Sequence, residues 1–163
     1  MKEILEQYAS YNVWANQTLL KPVLVMDEMQ QQQIVASSFN SLQSTFLHLW
    51  DTESAWWQRI KLQEQIIIPS MALHPTMQEI ANGLTDQSRQ WEIWVKQSKE
   101  NMLQHVFGYH NLKGEYFKNP IWQTVMHVFN HSTYHRGQIV TILHQLEIKK
   151  IPNTDFGAWC RKK

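Results

Sequence analysis

An all-α fold, a four-helix bundle with a short C-terminal tail docked on it, is what this chain predicts. Three observations carry that expectation. Apolar side chains recur at helical spacing over four long stretches. Proline, glycine or polar runs separate those stretches. No repeat or second composition divides the 163 residues, so we expect one domain over 1–163, with helices joined by connections of middle length.

The first helix is expected from residue 2 to about 20. Ile4, Leu5, Tyr8, Tyr11, Ala15 and Leu19 follow its spacing, and Glu3 and Glu6 suit the positive end of its dipole. Pro22 and the polar run 27–33 mark a connection. The second helix runs from 41 to about 63, with Leu42, Phe46, Leu49, Trp56, Trp57 and Ile60 on an apolar arc. Residues 64–75 read as a loop that packs Ile66, Ile67 and Ile68 down. The third helix, 76–102, opens with a capping box of Thr76 and Glu79 and turns Met77, Ile80, Leu84, Trp91, Trp94 and Val95 inward. Residues 103–119 suit a loop or a short hairpin. Pro120 starts the fourth helix, which continues to about 146. Pro152 and Gly157 punctuate a tail carrying Asp155, Phe156 and Trp159.

Composition excludes several classes of function. A net charge of +1 gives no electrostatic case for nucleic acid. A single cysteine, Cys160, leaves no internal disulfide and suits a reducing compartment. The N-terminus is amphipathic rather than an unbroken apolar signal, and no apolar run is long enough to span a bilayer. A cytoplasmic chain with no membrane partner is expected.

The chemistry concentrates in residues 126–138, M-H-V-F-N-H-S-T-Y-H-R-G-Q. His127, His131 and His135 are four residues apart, and each step of four advances about 40° around a helix, so the rings share one face. With eight histidines in the chain, chance supplies about 0.4 such pairs but only about 0.02 overlapping doublets. A solvated stripe or core histidines paired to carbonyls also fit. His48 lies beside the apolar arc of the second helix among small residues, Thr45, Thr52 and Ala55. With two histidines of the fourth helix it makes three neutral nitrogen ligands, the count of a catalytic metal site that keeps a position open. Asp51, one turn on, is a candidate for proton handling or for orienting His48; a solvated position fits it equally. Tyr134 and Gln138 flank the histidine face. Glu53 falls about 140° from His48 and Arg136 about 140° from His131, and a buried ion pair between them accounts for both.

Together, H-V-F-N-H-S-T-Y-H-R-G-Q (127–138), F-L-H-L-W-D-T-E-S-A-W-W around His48, Y-x-x-W-A-N at 11–16 and P-N-T-D-F at 152–156 resemble the DinB/YfiT-like family, the DNA-damage-inducible DinB proteins unrelated to the polymerase of that name. The resemblance implies a four-helix bundle, usually a homodimer, holding a divalent metal, zinc or nickel. It implies His48, His131 and His135 as ligands, since the family's pair immediately precedes R-G-Q. His127 then becomes a neighbour that packs or hydrogen-bonds near the site. Asp155 is left with two roles, a hydrogen bond to a ligand's second nitrogen or an anchor for the tail. Relatives of known chemistry are thiol-dependent enzymes, and others are described as metal-dependent hydrolases. The implied activity is metal activation of a small thiol, or of water, against an electrophilic small-molecule substrate. A non-catalytic, stress-induced dimeric metal-binding module is the alternative. Cys160, alone in the tail with no histidine near it in sequence, is not expected to be the thiol.

Overall fold

The computed structural model describes residues 1–111 and 113–161. They form eight helices and one two-stranded sheet. The long helices are α1 (Lys2–Leu24), α3 (Leu42–Ile60), α5 (Met77–Gln97) and α7 (Ile121–Gln145). Single turns make up α2 (Glu28–Gln32), α4 (Pro69–Ala72), α6 (Glu100–Gln104) and α8 (Phe156–Cys160). Strands β1 (Val106–His110) and β2 (Tyr116–Pro120) pair antiparallel, from Val106 opposite Pro120 to His110 opposite Tyr116. The chain is therefore mostly helical, and α1 and α3 each pack against both α5 and α7. No helix among the described residues is long and apolar enough to cross a membrane.

Helix starts follow local chemistry. The Ser41 hydroxyl accepts the Ser44 N–H at the head of α3, satisfying a donor the helix cannot. At the head of α5, Thr76 accepts the Glu79 N–H while the Glu79 carboxylate accepts the Thr76 N–H, the expected capping box. Gly83 in mid-α5 costs helix propensity, but the Trp50 indole occupies the space a Cβ would need.

Four expectations need correction. Helix α1 continues through Pro22 to Leu24, because the ring removes one bond near the helix end while Leu19, Leu20 and Val23 stay buried. Ile4 is 66% exposed, since Leu5 and Ala9 set the buried face a hundred degrees away. The loop at 64–75 contains the turn α4, with Ile66 and Ile68 half-buried but Ile67 exposed. Helix α5 stops at Gln97, because Ser98 is extended and its backbone N–H and hydroxyl both donate to the Trp94 carbonyl; α6 follows.

The core is two apolar clusters. One gathers Leu19, Phe46, Leu49, Leu84 and Ile142. The other gathers Leu5, Trp91, Val95, Val125 and Phe129. A buried polar layer, drawn from all four long helices, lies between these positions in sequence. Glu53 of α3 is fully buried, and its carboxylate accepts from Asn12 (2.8 Å), Asn16 (3.2 Å), Ser88 (2.8 Å) and Ser132 (3.3 Å). Arg136 donates to the Asn12 and Asn16 side-chain oxygens at 2.6 and 2.9 Å and to Thr133 at 2.7 Å. Its guanidinium also lies 5.2 Å from the Tyr11 ring. Burial pushes the Glu53 pKa up; the Asn12 and Ser88 hydrogen bonds, the Arg136 charge and Ser132 oppose it. The expected Glu53–Arg136 pair is thus indirect: two asparagines relay between the charges, donating to one and accepting from the other.

The tail docks as expected. Tyr11 donates to the Thr154 carbonyl at 2.7 Å, and its ring meets Phe156 and Trp159 edge-on. Asp155 caps α8 by accepting the Ala158 N–H.

Glu53→Gln or Arg136→Met strands a buried charge and is expected to destabilise by about 3–5 kcal/mol in urea unfolding. Asn12→Ala, which leaves both charges in place, is expected to cost about 1–3 kcal/mol because both charges lose a partner. A neutral Asn12→Ala would contradict the relay.

Candidate metal centre

The site begins with helical phase. On α7, Ser132 and Arg136 face the buried layer, and His131 and His135 each lie one residue before them, a hundred degrees round. On α3, His48 lies five residues before Glu53 and so on the opposite side. The two helices pack together, and their histidines meet. His48 Nε2 is 3.0 Å from His131 Nε2, which is 3.0 Å from His135 Nε2. One ring nitrogen from each residue lies within 4.8 Å of the others.

These distances suit a shared cation. Ligand bonds of 2.0–2.1 Å in a tetrahedron put the nitrogens about 3.3 Å apart. The tautomers point the same way. Gln138 Nε2 donates to Ser38, so its Oε1 accepts, and it does so from His135 Nδ1 at 2.6 Å. The proton of His135 then sits on Nδ1, and its Nε2 presents a lone pair to His131. A single Nε2–H on His131 can serve only one of its two neighbours. Some contact in the trio is therefore left lone pair to lone pair, whereas a cation satisfies all three. His131 Nδ1 is itself buried without a partner among the described residues.

The electrostatics favour neutral rings. Burial, then the neighbouring His135, lowers the His48 pKa to about 4. Burial, then His135, His48 and His127, lowers that of His131 to about 3. His135 is also lowered by burial, against the opposing Gln138 hydrogen bond. Lone pairs are thus free at neutral pH, the state in which imidazole binds a metal.

Two residues unsignalled in the sequence complete the surroundings. Phe39 stacks on His48 with centroids 4.0 Å apart and meets His135 edge-on at 5.5 Å. Ser38 anchors Gln138 at 2.9 Å. Both lie in the irregular segment before α3, where no periodicity reports burial.

Beside the trio opens a cavity of about 520 Å³ lined by His48, His131, Asp51, Trp56, Arg59 and Tyr109, with Ile66, Ile68 and Met71 as its apolar side. Its size is that of a small-molecule site. Asp51 lines it while its carboxylate accepts the Ser70 N–H at 2.9 Å, holding α4 in place. His127 lines it too, edge-on to Trp56 at 5.2 Å and outside the trio. Tyr134 is 63% exposed, with its ring edge-on to His135. Asp155 lines a different concavity with Tyr11 and Arg136, outside the trio, and its carboxylate caps α8 within the tail. Cys160 is exposed on α8.

A mostly helical fold carrying a three-histidine cluster beside a cavity is the class this geometry defines. The profile of the DinB family matches residues 1–158, and the chain belongs to that family. It is similar to Protein DinB of Bacillus subtilis (strain 168), with 24% identity over 168 residues, 98% of this chain and 95% of that protein.

Protonating the trio is easier in the unfolded chain, where histidine titrates near 6.5. Below that pH the unfolded state binds more protons, so stability falls as pH drops from about 6.5 towards 4. The melting temperature of metal-free protein should decline over that window, and His131→Leu should flatten the decline. A profile that rises as the pH is lowered would contradict this assignment.

Proposed function

We propose that the chain holds a divalent metal, zinc or nickel, through His48, His131 and His135 and uses it to activate a small thiol, or water, for transfer to an electrophilic substrate. The observation that carries this reading is the convergence of three neutral Nε2 atoms from two helices beside a cavity. Three ligands leave coordination positions free, unlike the closed four-ligand sphere of a structural zinc. Bound there, the ion would supply a positive charge that brings the pKa of water down to about 7 or holds a thiol as its thiolate.

The chain's own residues supply the rest. Gln138 fixes the His135 tautomer, and Phe39 shields one side of His48 and His135 from solvent. Asp51, on the cavity wall, is the carboxylate placed to take a proton from an incoming nucleophile. His127 stands further along the same wall. In this reading the four long helices form a four-helix bundle, and the protein works as a cytoplasmic homodimer.

Elemental analysis of purified protein should find about one zinc or nickel per chain, and none in His48→Ala, His131→Ala or His135→Ala. The loaded wild type should accelerate transfer of a small thiol to an electrophile, while the three variants should not. Metal bound with no effect on thiol transfer or ester hydrolysis would instead favour the binding module.

Gln138→Ala should weaken metal affinity about 10–100-fold without changing the fold, measured by competition with a chromophoric chelator. An unaltered affinity would remove Gln138 from the site.

A further inference from the structure

The far wall of the cavity carries charge that nothing among the described residues matches. Arg59, on the last turn of α3, lies with its guanidinium 4.7 Å from the Trp56 ring centroid. Its Nε is buried with no hydrogen-bond partner. Among the described residues Arg59 takes part in no salt bridge, and neither does Lys113, which reaches the same cavity from the β1–β2 turn. Burial alone pulls the Arg59 pKa down, with Tyr109 opposing. A half-buried guanidinium without an acceptor is costly unless something arrives to accept its protons.

Asp51, the one carboxylate lining the cavity among the described residues, stands one turn from His48 and is already engaged by the Ser70 N–H. Two cations against one carboxylate leave a single net positive charge, which suits a monoanion. The planar fork of arginine matches a carboxylate in particular. Ile66, Ile68 and Met71 offer apolar surface in the same cavity as this charge and two of the histidines, His48 and His131.

We propose that Arg59, seconded by Lys113, binds the carboxylate of a small acid whose apolar body lies along Ile66, Ile68 and Met71, its other end directed to the histidine trio. This names the substrate class for the cavity and rests on the metal reading only for what happens at that other end. Binding at Arg59 holds the acid by a group that does not react, so orientation comes from a contact remote from the chemistry.

Isothermal titration with hexanoate and with the neutral isostere hexanamide tests it. Hexanoate should bind the purified protein at least about tenfold more tightly. Arg59→Gln should reduce hexanoate to the hexanamide level and leave hexanamide unchanged. His48→Ala, which dismantles the trio, should keep the preference. Should Arg59→Gln fail to fold, Lys113→Gln on the exposed hairpin carries the test, and an unchanged preference there overturns the proposal. A preference that survives Arg59→Gln but vanishes in His48→Ala also overturns it, because the carboxylate then goes to the metal, and the metal reading stands alone. Equal binding of both probes, or of neither, overturns it too. A preference lost in Arg59→Gln by protein that carries no metal sustains the anion site while the metal reading fails.

Discussion

The two asparagines that separate Glu53 from Arg136 hold the arrangement on which everything else depends. Each presents both an amide donor and an amide acceptor, so each can face a carboxylate and a guanidinium at once. Hydrophobic packing tolerates a helix rotating by a fraction of a residue; directional hydrogen bonds do not. With Asn12 and Asn16 on α1, Glu53 on α3, Ser88 on α5 and Ser132 and Arg136 on α7, each long helix contributes to one layer and has its rotation fixed by it. The layer sits between two apolar clusters, where water cannot relieve a misplaced partner.

The histidines inherit that orientation. His131 immediately precedes Ser132, and His135 immediately precedes Arg136, so fixing the polar pair aims the imidazoles. His48 is aimed in the same way by Glu53. Burial first, and then the neighbouring rings, leave the trio uncharged and its lone pairs available. One buried layer therefore supplies positional accuracy without adding charge to the rings it positions.

Helical periodicity made the long elements legible, and the doublet of H-x-x-x-H spacings made α7 stand out. Glu53 could be singled out because a carboxylate on an apolar arc demands a partner, and the phase of Arg136 supplied one. The asparagines were not legible, because a polar residue on an amphipathic helix reads as solvated until its neighbours are known. Phe39, Ser38 and the turn α4 lie in irregular segments, where neither period applies. The end of α5 escaped for a related reason: Ser98 stops the helix through its own backbone and hydroxyl, a competition between local bonds that hydrophobic pattern does not report.

The hairpin and α4 lie in connections between the long helices, yet they supply much of the cavity wall: Tyr109, Asn111 and Lys113 from one, Met71 from the other, with Ile66 and Ile68 just before it. The donors that face one another come from helices. The facing histidines and much of the cavity lining are accordingly written in different parts of the chain. Exchanging a linker can therefore reshape the cavity while the histidine trio is kept intact.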